Sequence, residues 1–449
     1  MKKLFGTNGI RGVFGEEFTT DLIRDVVLSM AKYFEKGPIL IGFDGRHNNK
    51  EILEIVCSAF NSRGLDVQVS GLVPTPCLQF GTKKLDVRAG IMLTASHNPP
   101  QYNGIKVVDS DGVEISREAE QVIEKIYNEK SWDTNPVELG KREESTDIIR
   151  LYIDGIKSLI DVKGIESTEI TVATDLGNGA QAVVIEKLLD ELGCNCVAIN
   201  GEIDGNFPGR GPEPTPENLQ DLSKAVIDNN ASFGVAFDGD GDRSIFCDQD
   251  GKILTGDISA LLLTRYLLSK NPESKVITTI NSSSAIEKIS SETSSKVIRT
   301  KVGSVDVSRK MIIENGLIGF EENGGFMFSK HNSVRDGAMT MSIIIDMLGA
   351  KKDLEKELND LPRSFTRKGK YKCSQVQAKF LTEHLKTISD AQFTTVDGIK
   401  INFAENRWVM VRASGTEPII RVYCEGQTKE DLDRLYKQYC DIIEKFLKN

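Results

Sequence analysis

The 449-residue chain carries eight cysteines, yet no C-x-x-C pair and no regular spacing among them. A disulfide framework is therefore excluded, and cysteines inside apolar runs such as RVYCEG read as small core residues in a reducing compartment. Long basic runs are also missing: 56 lysines and arginines face 66 acids, for a net charge of -10. Nucleic acid and anionic membranes need clustered cations, so neither is an expected partner. A small anionic substrate is compatible if basic residues converge locally. No apolar stretch of signal-peptide length follows the two N-terminal lysines, and none approaches the roughly 20 residues of a membrane span. The expectation is a soluble cytoplasmic protein of three or four domains, since the chain is several times longer than one core requires.

What the sequence does contain is one layout written three times. An apolar strand breaks into a polar turn that opens a helix at ILIGFDGR from Ile39, ITVATDLGNGAQ from Ile170 and VITTINSSSAIEKI from Val276. Each copy is followed by a second short strand that ends in a loop rich in functional groups: GIMLTASHNP, GVAFDGDGDR and LIGFEENGG. Short apolar strands alternating with helical patterns imply α/β units whose sheets are covered by helices. Ligands in such sheets collect beyond the carboxyl ends of the strands, so three sheets can aim three loops at one central cleft. A fourth, smaller α+β unit closes the chain: RWVMVRASGTEPIIRVYCEG reads strand, loop, strand, and a helical stripe follows it. Polar joints divide the chain into residues 1–147, 148–251, 252–364 and 365–449.

In FDGDGDRS, Asp238, Asp240 and Asp242 recur at every second position after an apolar strand. Alternation in an extended segment puts the three carboxylates on one side. Like charges about 4 Å apart repel by roughly 4 kcal/mol at an effective dielectric of 20, so the group wants a cation, and an all-oxygen set suits magnesium or calcium. An EF-hand is excluded, because its sixth position would be Arg243 and its twelfth Gln249. A solvated acidic turn is the plain alternative.

Ser96 stands in SHNPP without a G-x-S-x-G elbow, and adjacent side chains on extended backbone point apart, which argues against His97 as its base. A hydroxyl that carries a phosphoryl group needs instead a divalent ion and flanking donors. An Asn-Pro turn is the plain reading of the same stretch. VRASGTEPIIR offers Arg412, Ser414, Gly415, Thr416 and Arg421 around a tight turn, a combination suited to gripping phosphate, although a hairpin with surface arginines reads the same way. Glu321, Glu322 and Asn323 in FEENGG suit sugar hydroxyls or an exposed turn. GNGAQA from Gly177 imitates a dinucleotide fingerprint, but no acid stands about 20 residues further on where the ribose contact belongs.

Together, TASHNP, DGDGDR, EENGG and RASGTEP, in that order across the whole chain, resemble the α-D-phosphohexomutase superfamily. The resemblance implies a phosphorylated Ser96, Mg²⁺ held by Asp238, Asp240, Asp242 and a phosphoryl oxygen on Ser96, and a sugar met by Glu321 and Asn323. It implies that Arg412, Ser414, Gly415, Thr416 and Arg421 hold the phosphate that is not reacting. Arg11, Lys106, Arg243 and Lys301 would line the cleft, with Lys106 handling the hydroxyl proton after a cation-rich, desolvated setting has lowered its pKa. The implied reaction interconverts hexose 6-phosphate and hexose 1-phosphate, with a hexose 1,6-bisphosphate as intermediate and activator, and a homodimer is an allowed assembly. FGTNGIRG is similar to the phosphoglucosamine mutase branch, and TASHNPPQYNGIK with EENGG to archaeal-type enzymes, some acting on several hexose phosphates. The chain departs from common patterns in having Gly325 where many relatives have histidine, and in Ser304 and Asn48. His331, six residues beyond Gly325, is a candidate replacement only if it reaches the cleft. A phosphatase and a non-catalytic sugar-phosphate binder are the rival classes.

Overall fold

The computed structural model describes residues 3–132, 138–144, 147–388, 391–404, 406–414 and 418–448. Among them four sheets form, and three share one plan. The first strand of each repeated layout, Ile39–Phe43, Thr171–Asp175 and Lys275–Thr279, lies between two parallel neighbours. On one side of it lies the second strand of the layout, Ala89–Leu93, Phe233–Phe237 or Ile318–Phe320, and each of these pairs outward with an antiparallel strand. Those return strands are Tyr102–Asp109, Ser244–Cys247 and Phe326–Phe328, so each sheet is mixed and each functional loop is the link of a hairpin. The central strands are buried on both faces, which is why they read as continuous apolar runs.

The cores do not divide as the sheets do. One apolar cluster runs from Leu40, Leu78 and Phe80 under the first sheet, through Tyr152 and Ile156 of the helix Ile148–Lys157, to Phe233, Leu262, Ile318 and Ile344. The helices Gly256–Lys270 and Gly337–Gly349 are apolar nearly all round because they lie within this shared core. The other face of the first sheet has its own core, centred on Ile23, Val56 and Phe60. The fourth sheet is wholly antiparallel and packs on the helices Gln375–Ile388 and Lys429–Lys448 through Leu381, Leu435, Tyr439 and Ile443. A small apolar junction of Ile280 with Trp408, Met410 and Tyr423 joins it to the third sheet. All eight cysteines are unpaired and seven are buried, and burial pushes the Cys57 thiol up to about 11. Among the described residues, no helix is long and apolar enough to cross a membrane.

Candidate active site

The three loops leave the carboxyl ends of parallel strands and meet. Ser96 follows Leu93 by a turn in which its own φ is 52°, and only 1% of its surface is exposed. Its amide donates to Thr94 Oγ1 at 2.8 Å, and its Oγ donates to Asp238 Oδ2 at 3.0 Å. The positive φ overturns the alternation argument that set His97 aside: Nδ1 of His97 lies 3.5 Å from Ser96 Oγ, on the same side. Arg243 first, then burial, holds His97 far below the ordinary imidazole value, so its ring is neutral.

Asp238, Asp240 and Asp242 are all buried, with one oxygen from each lying within 4.8 Å of the others. They converge by a turn rather than by strand alternation, since Gly241 N donates to Asp238 O and Gly241 has a φ of 74°. The GNGAQA segment braces this turn from behind: Ala180 N donates to Gly239 O at 3.0 Å and Gln181 Nε2 to Gly241 O at 2.8 Å. A Cβ on Gly179 would stand 2.8 Å from Gly239 O, so glycine is needed there for close approach and not for a dinucleotide.

Asp238 is held on both oxygens, Oδ1 by Arg243 N at 3.1 Å and Oδ2 by Ser96 and Arg243, whereas Asp240 and Asp242 are each pinned on one. Asp240 Oδ2 accepts from Thr75 Oγ1 at 2.5 Å and Lys106 Nζ at 2.6 Å, and Asp242 Oδ2 from Lys106 Nζ at 2.9 Å and Arg335 Nη2 at 2.6 Å. The opposite oxygens, Asp240 Oδ1 and Asp242 Oδ1, are buried without a partner. Buried carboxylate oxygens without a partner are costly unless a cation takes them, so this donor set fits a hard divalent ion. Burial, then Asp242, pushes Asp238 up to about 6; for Asp240 burial acts upward too, but Lys106 outweighs it and the net direction is down.

Lys106 is 1% exposed and bridges two aspartates, and their pull outweighs burial to raise its pKa. This direction is opposite to the lowering expected of a cation-rich cleft, because two aspartates face this atom. Arg243 Nε donates to Asp238 Oδ2 at 3.0 Å, while its Nη2 is buried without a partner. Arg11 Nη1 donates to Ala95 O at 3.1 Å and Asn98 Oδ1 at 2.6 Å, and burial pulls its pKa down to about 10.

The remaining motif residues stand further apart. Glu321 is buried and accepts from Arg335 Nη1 at 3.3 Å. The Oδ1 of Asn323 accepts from Gly325 N at 3.2 Å, shaping its own loop. Arg412 and Arg421 are directly opposed across their strands, so their side chains share one sheet face. Arg412 is tied to Asp397 at 3.1 Å, and Ser414 N donates to Ile419 O at 2.9 Å. Gly415 and Thr416 lie outside the described residues. Lys301 is exposed at the end of the strand Lys296–Thr300. His331 does not serve the cleft: its ring stacks on Phe80 at 4.2 Å and its Nδ1 lies 3.1 Å from Asp336 Oδ2.

Two site residues escaped the sequence reading. Arg46, in the loop after the first strand, donates to four carbonyls of the serine loop, those of Ser96, Asn98, Pro99 and Tyr102. Its signal was present in FDGR at the carboxyl end of a buried strand. Arg335, beside His331 in SKHNSVRDG, joins Asp242 to Glu321, and nothing local in the sequence marks it.

Against known proteins, residues 2–134, 150–251 and 255–365 match phosphoglucomutase/phosphomannomutase alpha/beta/alpha domains I, II and III, and residues 369–442 match the C-terminal domain of the same set. A phosphoglucosamine/phosphogalactosamine mutase of Sulfurisphaera tokodaii is 38% identical over 99% of this chain and 100% of its own. A phosphoglucomutase/phosphomannomutase of Thermococcus kodakarensis is 35% identical, with both chains covered in full, 100% each. Among solved structures, a phosphoglucomutase/phosphomannomutase family protein from Burkholderia thailandensis superposes with a TM-score of 0.88 at 26% identity, covering 99% of this chain and 97% of that one.

Proposed function

The chain belongs to the phosphoglucomutase/phosphomannomutase family, and from that premise we propose that it interconverts hexose 6-phosphate and hexose 1-phosphate through a phosphorylated Ser96. The observation that carries the mechanism is the contact of Ser96 Oγ with Asp238 at 3.0 Å, inside a carboxylate set with two unpartnered buried oxygens. Asp238, Asp240 and Asp242 would hold Mg²⁺, which supplies charge neutralisation to the phosphoryl oxygens when bound.

In the first half-reaction the Oγ–P bond of phosphoserine 96 breaks as a bond forms from phosphorus to the free hydroxyl of the sugar, and the proton of that hydroxyl passes to the departing Oγ, which is left as the neutral serine hydroxyl. The bisphosphate then turns over, and its other phosphate returns to Ser96. Phosphoryl transfer asks chiefly for in-line placement and charge stabilisation. Arg46 and Arg11 fix the serine loop, Lys106 and Arg243 place positive charge beside Ser96, and Glu321 with Asn323 offers acceptors to sugar hydroxyls. The Arg412–Arg421 face, with Ser414, Gly415 and Thr416 between, would hold the non-reacting phosphate. A clamp that reads phosphate and not sugar accepts either end of the turning intermediate.

Glucosamine phosphate is the substrate we favour, since the more similar of these two relatives is named for amino-sugar phosphates. The other, named for glucose and mannose phosphates, supports a broad-specificity reading. The reaction is placed in the cytoplasm, where sugar phosphates are made. Incubation with glucosamine 6-phosphate, Mg²⁺ and a trace of glucose 1,6-bisphosphate is expected to yield the 1-phosphate, with phosphate found on the Ser96 peptide by mass spectrometry. Release of inorganic phosphate instead would make the protein a phosphatase, and a Ser96 peptide that never carries phosphate would overturn the mechanism. Catalytic efficiencies on glucosamine, glucose and mannose 1-phosphates separate the two substrate readings.

A further inference from the structure

Gly325 is not glycine for the sake of its backbone, because it is absent from the residues with positive φ. It is glycine because of what stands beside it. A Cβ built on it would lie 2.3 Å from Cδ and 3.0 Å from Cγ of Arg335. Contacts that close do not occur, so any side chain at position 325 must push Arg335 out of its present path. That path runs between two loops from two sheets: Nη2 of Arg335 reaches Asp242 at 2.6 Å in the metal loop, and Nη1 reaches Glu321 at 3.3 Å in the sugar loop. The side chain is 10% exposed, and its charge acts on Arg11, Lys106, His97 and Arg243.

We infer that Arg335 is a positioning residue for phosphoryl transfer, and that the absence of a side chain at Gly325 is the condition for it. One planar, always-charged group with two donor edges fixes the separation of Asp242 and Glu321, and so sets the sugar against the phosphoryl group. It also holds Asp242 by Oδ2, while Oδ1 has no protein partner and would be available to a cation. A lysine would supply the charge without the second edge. The position that a side chain would take in a relative with residue 325 larger than glycine is, in this chain, crossed by Arg335.

This inference rests on the mutase reading, and its test separates the two. Wild type, Arg335→Lys, Arg335→Met, Gly325→Ala and the Gly325→Ala/Arg335→Met pair are compared by steady-state kinetics, thermal melting and Mg²⁺ titration calorimetry. Arg335→Lys is expected to lose about 10²-fold in kcat, the scale of a misplaced reacting group, with Mg²⁺ affinity within about twofold of wild type because the charge remains. Arg335→Met is expected to lose kcat and yet bind Mg²⁺ at least about threefold more tightly, since a cation beside Asp242 has gone. A residue that only held the fold together would loosen both. Gly325→Ala is expected to lose kcat alone, and to cost nothing further once Arg335 is Met. Wild-type kcat in Gly325→Ala, or Mg²⁺ binding weakened in Arg335→Met, overturns the inference. A wild-type protein that interconverts no hexose phosphate overturns the mutase reading instead, and the calorimetry still decides whether Arg335 opposes the cation.

Discussion

At the scale of single residues, charge is placed for geometry at a cost to stability. Arg46 and Asp44 are both buried and lie 3.4 Å apart, yet burial pushes Asp44 up and Arg46 down against their mutual attraction. Buried pairs are poor stabilisers in general, and what this one secures is the course of the serine loop, through the four carbonyls that Arg46 holds. Arg46→Lys keeps the charge and loses the fork, so kcat is expected to fall about 10²-fold through misplacement of Ser96. Normal kcat in a folded Arg46→Lys protein would leave the loop to be fixed by something else. Asp240→Asn is the complementary case. It keeps shape and leaves Lys106 paired with Asp242, so the fold is expected to survive, with melting within a few degrees of wild type. Turnover is expected to drop at least about 10³-fold, because the charge that answers the cation is removed. The two outcomes together, activity lost and melting kept, distinguish a ligand from a structural acid.

At the scale of elements, the sequence was legible where one strand and one loop decide the matter. The repeated layout from Ile39, Ile170 and Val276 sets three equivalent strands, and the loops at Ser96, Asp238 and Glu321 leave equivalent ends. The return strands were less legible, since a hairpin link full of functional groups reads as the end of a unit. Conformation inside the loops was not legible at all. Strand alternation gave the right convergence of the aspartates for the wrong reason and the wrong side for His97, because Ser96 and Gly241 both have positive φ. Arg335 acts across two sheets, and nothing near it in sequence records that; Arg46 acts between two loops of one sheet, which FDGR marks by place and not by partner. The strand Ile399–Ala404 shows the same limit: its Lys400 is buried, lies 3.8 Å over the Trp408 ring and donates to Ile280 O at 2.8 Å. Burial, then Arg299, lowers its pKa to about 7, against the opposite pull of Glu425, Glu287 and Asp257. Between about 7 in the folded chain and 10.5 in the unfolded one, the unfolded state binds the extra proton, so this group makes stability rise with pH, by at most about 1.4 kcal/mol per unit. Below about 7 both states are charged and the burial cost is present in full. Lys400→Met is therefore expected to melt above wild type at neutral pH, with the advantage gone near pH 10. An equal difference at both values would mean that Lys400 does not titrate in the fold.

At the scale of the whole molecule, one sheet face of the last unit carries both its docking contact and the two arginines proposed to hold phosphate. Alternation along Arg407–Ala413 and Ile419–Gly426 puts Trp408, Met410 and Arg412 beside Glu425, Tyr423 and Arg421. The first part of that face docks on the third unit, where Ile280 packs on Trp408, Met410 and Tyr423. The far part carries the two arginines assigned to phosphate, so how the unit docks decides where they point. Glu425 is the centre of the docking: it accepts from Ser283 Oγ at 2.7 Å, Ser284 N at 2.9 Å and Trp408 Nε1 at 2.5 Å, and is 1% exposed. Truncation to alanine removes the acceptor they share: Trp408 Nε1 keeps Ser284 Oγ at 3.0 Å and Ser283 Oγ keeps Ser364 Oγ at 2.6 Å, but Ser284 N loses its partner, and an unmet buried donor costs about 1–3 kcal/mol. The last unit then spends less time docked, and the phosphate clamp is formed in fewer molecules. Because the Ser96 and aspartate loops lie on the first two sheets and have no bond to Glu425, their chemistry is expected to be intact. Glu425→Ala should therefore raise KM for the sugar phosphate about tenfold and change kcat less than about threefold, while Mg²⁺ binding by calorimetry stays at the wild-type value. A fall in kcat at unchanged KM would mean that the junction tunes the reacting loops themselves, and that the clamp is held by contacts elsewhere.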